Sequence, residues 1–397
     1  MQQAILFSLL LLSTDGFQIP LISKSASSIV QKTIGRERSP LLPWNERLSS
    51  FYLNEFPNEY LLTNCTIGTP EKEFFVAVES GSKFLWVLDA ANPDVRSYQH
   101  TYDSRHAFHF LPLLTLTFSS SSTSSFIRDD FNTSTGNTQL FGSAYVDVFN
   151  IQMPVPQAFG SIRRMNASGD RPDVPLDGAL GLAWGSFGED PQLQYMSPIV
   201  NILGYLSFAQ QFYTIWIDHH VPPSKGRVNG LITVGNFDDA HCDDRQLKFV
   251  PLTIDETADF MRFVVQDFTI GPFTKEANAE AYLDTGSPVI RLSSDLYASV
   301  LKQLKPTYDP DRKLLLTSCG GASSLPAFSF LIGDVEHEVA SSDYVVDLDL
   351  GDDECALAVG KSEDGQIPFV LGLPFHRSFC TVFQLIGQEV GFAKVLK

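Results

Sequence analysis

Two short runs in this 397-residue chain carry the residue types of acid–base chemistry: Glu79-Ser80-Gly81-Ser82 and Asp284-Thr285-Gly286-Ser287. Each places an acid, a hydroxyl, a glycine and a serine, in that order, between apolar segments. A lone carboxylate among buried strands is costly unless it is paired or hydrogen-bonded. The hydroxyls of Ser80 and Thr285 can bond backbone, Gly81 and Gly286 permit tight backbone approach, and Ser82 and Ser287 can donate to the acids. Should the two runs meet, two like charges at close range cannot both ionise. The pair would then share a proton and supply an acid and a base together.

The elements that must hold these runs read as strand, turn, strand in both places. Phe74-Phe75-Val76-Ala77-Val78 enters the first run and Leu85-Trp86-Val87 leaves it; Ala281-Tyr282-Leu283 and Val289-Ile290-Arg291-Leu292 flank the second. Each run is echoed downstream by two apolar residues and a glycine, Ala179-Leu180-Gly181 and Val370-Leu371-Gly372. Self-similarity at this distance predicts two related lobes. Ser197-Pro198 offers an N-cap and a first-turn proline for a short helix. Leu296, Val300, Leu301 and Leu304 form an apolar helical face after Ser294-Asp295.

With 28 basic against 46 acidic residues the net charge is −18, which disfavours nucleic acid and anionic membranes as partners. The 44 % hydrophobic and 19 % charged content excludes a disordered chain. Residues 1–16 hold a short apolar run, too brief for a bilayer, and read as a signal peptide. The sequons at Asn64, Asn132 and Asn166 agree with export and make these asparagines candidate glycosylation sites, Asn64 being the doubtful one inside a predicted strand. Residues 17–55 carry five basic and three acidic side chains ahead of an acidic body. That pattern suits a charge-docked propeptide released as falling pH neutralises carboxylates, and equally a plain leader.

The five cysteines show no CxxC spacing; an oxidising compartment would give two bridges and one free thiol, with Cys65 as the buried odd one. His100, His106 and His109, and the trio Asp218-His219-His220, lack dependable metal spacing and read as solvated loop residues. There is no glycine-rich phosphate loop and no GxSxG elbow. The Ser119–Ser125 run reads as a surface turn.

Taken in order over most of the chain, these marks resemble the pepsin-like aspartic peptidases. Ile19-Pro20-Leu21 is similar to that family's propeptide start, Ile67-Gly68-Thr69-Pro70 to the segment before its first catalytic turn, and Asp177-Gly178-Ala179-Leu180-Gly181-Leu182-Ala183 to the crossing behind it. Gly230-Leu231-Ile232-Thr233-Val234-Gly235 resembles the strand near the lobe junction, and residues 371–393 the closing strands. The resemblance implies a mainly β, two-lobed acid-protease fold with pseudo-twofold related lobes, residues 56–238 and 239–397, and a long cleft between them. It implies Asp284 and Glu79 as the catalytic carboxyls, with a water between them and no metal or cofactor. Gly81, Ser82, Gly286 and Ser287 would line the site, and an extended peptide or denatured protein would lie in the cleft of a monomer. It also implies a Cys319–Cys355 disulfide; Cys242 and Cys380 could pair, since both lie on segments near the inter-lobe sheet. Export would be to the outside or to an acidic compartment.

The chain departs from that pattern in three places. Glu79 stands where the first Asp is usual, and its extra methylene moves the carboxyl by about 1.5 Å on a fixed backbone. Thr135, before Gly136, stands where the flap hairpin usually carries a Tyr, with Phe131 and Tyr145 as the alternatives if the register slips. Leu373 replaces a usual Asp. These departures lead to an expectation of a peptidase homologue with impaired turnover. The alternative is a non-catalytic peptide- or ligand-binding protein of the same fold.

Overall fold

The computed structural model describes residues 16–24, 60–95, 99–104, 121–135, 138–167, 177–184, 197–218, 230–253, 261–348, 350–362 and 367–396. Nearly all of residues 1–16, all of 25–55, Gly136, His106, His109, His219 and His220 lie outside them, as does the side chain of Thr135.

The first half is built from β1 (Phe17–Lys24), β2 (Tyr60–Ile67), β3 (Lys72–Glu79), β4 (Leu85–Leu88), β5 (Ser125–Thr135), β6 (Thr138–Asn150), β7 (Pro154–Ala167), β8 (Gly178–Gly181), helix α1 (Pro198–Leu203), β9 (Phe212–Ile217) and β10 (Gly230–Val234). The second half begins with β11 (Cys242–Asp243), β12 (Phe249–Pro251), β13 (Arg262–Ile270), β14 (Phe273–Leu283), β15 (Ile290–Leu292), α2 (Ser294–Leu304), β16 (Thr307–Asp309) and β17 (Leu314–Ser318). It continues through β18 (Phe328–Ile332), β19 (Val335–Val339), α3 (Ser341–Tyr344), β20 (Val345–Val346), β21 (Glu354–Leu357), β22 (Val359–Lys361), β23 (Phe369–Leu371), α4 (Leu373–Ser378), β24 (Phe379–Gln384) and β25 (Glu389–Val395).

Both halves repeat one topological unit. In the first, β3 runs parallel to β8, and β4 pairs antiparallel with that same β8. In the second, β14 runs parallel to β23, and β15 pairs antiparallel with β23. The chain therefore leaves a strand, turns, and returns on the far side of a third strand that arrives later. This is the role of the two apolar-apolar-glycine echoes. A Cβ on Gly181 would lie 2.5 Å from the Ser82 carbonyl oxygen, and one on Gly372 would lie 2.4 Å from that of Ser287, so only glycine fits beneath either turn. Ala183 N and Leu373 N then donate to those same two carbonyls at 2.9 Å each.

A fourteen-stranded sheet joins the halves. Its order from β25 through β24, β9, β10 and β1 to β2 and β3 carries hydrogen bonding from the second half into the first. The central strand is β1: Phe17–Leu21 pair with β10, while Ile22–Lys24 pair with β2. One large apolar cluster runs from Phe74, Val76 and Val78 through Tyr213 and Ile215 to Phe330, Phe369 and Phe375, and so spans both halves.

Local signals mostly position the helices as expected. Pro198 opens α1 after Ser197, although the Ser197 side chain makes no capping bond. Leu296, Val300 and Leu304 are the buried face of α2, while Leu301 is only half-buried. Cys242 bonds Cys380 across 138 residues, Cys319 bonds Cys355, and Cys65 is free and buried. Burial pushes the Cys65 thiol far up, so it stays protonated and inert. Among the described residues no helix is long and apolar enough to cross a membrane.

Candidate active site

The two turns meet at the junction of the halves, clasped by their hydroxyls. Ser80 N donates to Thr285 Oγ1 at 2.9 Å, and Thr285 N donates to Ser80 Oγ at 3.0 Å. Each hydroxyl passes its own proton to the opposite strand, Ser80 Oγ to Leu283 O at 3.1 Å and Thr285 Oγ1 to Val78 O at 2.7 Å. Both side chains are fully enclosed. Every polar atom of the clasp is thereby satisfied out of reach of water, where an orphaned donor would cost about 1–3 kcal/mol.

The clasp brings the carboxyl-bearing residues together. An ideal Cβ on Gly286 would lie 3.1 Å from Asp284 Oδ1, 3.2 Å from Glu79 Cγ and 3.7 Å from Glu79 Cδ, so both acids reach one point over the second turn. A Cβ on Gly81 would lie 2.8 Å from the Asp284 carboxyl carbon, placing the first turn equally close to the second turn's acid. Residues 79 and 284 are therefore neighbours at the junction, and Gly81 and Gly286 leave the space that their side chains enter.

The environment sorts the two acids. Asp284 accepts from Gly286 N at 2.9 Å, and the Gly81 amide also bonds it. Burial nonetheless dominates and holds its carboxyl above the ordinary carboxylate range, against the opposing pull of those amides and of the Arg291 charge. Asp284 thus keeps its proton to higher pH than a free aspartate does. Glu79 ends β3, with its carbonyl accepting from Leu182 N at 2.9 Å.

The serines behave differently from expectation. Ser287 Oγ donates to Val289 O at 2.9 Å, and Ser82 Oγ accepts from Phe84 N at 3.3 Å. Both therefore brace their turns, and for Ser287 the carbonyl two residues on takes the hydroxyl proton expected at the acid.

β5 and β6 form the hairpin in which the flap residue is expected. Its register ends at the Thr135–Thr138 pair, so Thr135 is the last described residue of β5 toward the tip. Phe131 and Tyr145 are buried along the strands and not at that tip. Phe131 instead meets Phe84 edge-on at 5.5 Å, beside the buried Trp86 and Leu140. Leu373, where an Asp is usual, is fully buried, consistent with an apolar choice at a site without room for solvent.

His100 corrects the reading of a solvated loop histidine. Its Nδ1 lies 2.7 Å from the buried Asp177 carboxylate, which also accepts from His100 N and Phe75 N at 2.8 Å each. Among the described residues the single metal-like cluster is Cys319, Asp347 and Cys355, and its two sulfurs are already joined as a disulfide. Asn64, Asn132 and Asn166 all sit at exposed strand positions, Asn64 donating to Glu73.

Sequence reasoning passed over Tyr282 and Arg291, which the Asp284 neighbourhood includes. Tyr282 lies two residues before Asp284 on a strand and so shares its face, a period-two signal that was available. Arg291 is brought in by the strand after the turn.

Comparison with known proteins agrees with this geometry. Residues 59–395 match the family described as eukaryotic aspartyl protease. The chain is 27 % identical over 357 residues to aspartic protease 1 of Caenorhabditis elegans, covering 85 % of this chain and 83 % of that one. It is 26 % identical to aspartic protease 17 of the same organism, over 95 % of this chain and 94 % of that one. With human gastricsin the identity is 24 %, over 88 % of this chain and 86 % of that one. A clasped pair of acid-bearing turns on a duplicated β unit and a family match spanning both halves lead to one conclusion: the chain belongs to the eukaryotic aspartyl protease family.

Proposed function

We propose that this chain is an exported, pepsin-like endopeptidase homologue whose cleft accepts an extended peptide or denatured protein and whose turnover is impaired. The supporting observation is the reach of Glu79, whose Cγ lies 3.2 Å from the Cβ position of Gly286. The longer arm enters the space between the turns, where a shared water and the scissile carbonyl have to sit. A misplacement of about 1 Å in such geometry costs on the order of a hundredfold in rate. The charge types survive. Asp284, pushed up by burial, is the proton-holding acid that polarises the carbonyl, and Glu79 is the base toward water. Loss of the aromatic ring at Thr135 removes packing over the bound chain.

In this reading residues 1–16 direct export, 17–55 act as a propeptide-like segment, and the body divides at residues 56–238 and 239–397. Asn64, Asn132 and Asn166 carry glycans, and the protein works as a monomer outside the cell or in an acidic compartment. The same reach of Glu79 favours the alternative, a peptide-binding protein of this fold without turnover.

Acid-treated secreted protein assayed on a denatured protein substrate separates the two. Glu79→Asp is expected to raise kcat/KM by about a hundredfold, reversing the misplacement. Native activity already equal to that of Glu79→Asp would overturn impairment. Tight peptide binding with no turnover in either form would favour the binding protein.

A further inference from the structure

The face of the second half that presents Asp284 carries an unusual row. Across four neighbouring strands the register aligns Arg262 of β13 with Tyr282 of β14, Tyr282 with Val370 of β23, and Val370 with Arg291 of β15. Residues directly opposite in a sheet point to the same face. Asp284 follows Tyr282 by two positions and joins that face. Tyr282 and Arg291 are half-buried, whereas Val370 between them is 2 % exposed, so the aromatic ring and the guanidinium stem cover it. The row ends on β22 at Gly360, which pairs with Arg291 and puts no side chain beside it.

The two arginines differ. Arg262 Nη1 is 3.3 Å from the Glu280 carboxylate, which offsets its charge. Among the described residues no side chain hydrogen-bonds or ion-pairs with Arg291. Its charge is felt at Asp284 and Tyr282, so it acts within reach of the second turn's acid. A half-buried guanidinium with no side-chain partner among the described residues stands out in a chain with 46 acidic residues. Its planar donor fork matches the two oxygens of a carboxylate, the acidic group that a peptide carries.

Resting on the reading of the groove as a peptide site, we infer that Arg291 is a specificity-determining residue, selecting ligands that place a carboxylate beside Asp284. That carboxylate belongs to an acidic side chain or to a chain terminus. Tyr282 forms the apolar floor on which the ligand's methylenes rest, and Arg291 closes on the charge. The acidic body of the protein would repel such ligands elsewhere, which leaves this spot as the place where they are read.

The test uses four versions of one short peptide, with Gln or Glu at a single position and with an amidated or free C-terminus, titrated against the acid-treated full chain by fluorescence anisotropy. At about pH 5.5, where carboxylates are ionised, the native protein is expected to favour at least one carboxylate-bearing version by about tenfold or more over the neutral one. Which version wins identifies the source. Arg291→Gln should bring the ratio to about one while leaving affinity for the neutral peptide in place, and Arg291→Lys should keep part of the preference. At about pH 3 the native preference should fade as the ligand carboxylate protonates. Peptide binding with equal affinities, or a preference that survives Arg291→Gln, overturns this inference and leaves the peptide groove standing. Absence of binding by all four versions overturns the groove reading and this inference together.

Discussion

The two acid-bearing turns are built on the same unit and differ in what they do with it. The second is conventional in each respect that can be measured. Its aspartate is short and takes two backbone amides, one from its own turn and one from Gly81 of the other. The first keeps the clasp, the glycine beneath and the returning strand, yet ends in a side chain one methylene longer, so that over the partner glycine it sets a methylene where Asp284 sets its carboxyl. The scaffold of a turn can thus be retained in full while the atom it was built to place moves away. The clasp depends on Ser80 and Thr285, which sit one residue beyond the acids and are indifferent to their length.

The sharpest way to test that asymmetry is to make the turns alike and then remove one acid. In a Glu79→Asp background, Asp284→Asn should lower kcat/KM by about a thousandfold, within the range for loss of a general acid or base, as read by steady-state peptide hydrolysis. If activity survived, the chemistry would lie elsewhere and the comparison would fail. A smaller effect tests the shared part. Ser80→Ala and Thr285→Val each orphan a buried backbone amide and should each cost about 1–3 kcal/mol in urea unfolding, nearly equally. A marked inequality would show that the clasp is carried mainly by one turn.

The smallest expected effect is on pH dependence. Burial raises the Asp284 carboxyl in the folded state, so the native protein binds a proton there that the unfolded chain has released. This acid's contribution is most favourable below the unfolded value and is lost as pH rises through the folded one. Urea midpoints measured from about pH 3 upward should therefore fall less steeply for Asp284→Asn than for the native chain. A parallel course in both would mean that the acid is not held protonated.

Much of this arrangement could be read from the residues. The turns were legible because their chemistry is local: an acid, a hydroxyl and two small residues must be contiguous to make a clasped turn, and a glycine must stand where Gly181 and Gly372 pass beneath. The Cys242–Cys380 bridge was only one option until the strands carrying the two cysteines were placed together. The row from Arg262 to Arg291 was not legible at all, since it depends on the register of four strands drawn from residues 262 to 370, and a shift of one residue in any of them would turn its member to the other face. Ser287 misled because a hydroxyl beside an acid suggests a bond to it, whereas a carbonyl two residues on was nearer.

The position of β1 has a consequence for how such a chain could mature. Its first five residues are stitched to β10 and its last three to β2, within the sheet that ties the halves together. Cleaving the backbone between residues 25 and 59 would sever the chain without freeing this ribbon, since nothing in the cut breaks its ladders. Departure would open two raw strand borders at the molecule's waist, and those borders need another strand to fill them. Scission and release are thus separate events, and a nicked protein would still travel as one particle on a sizing column.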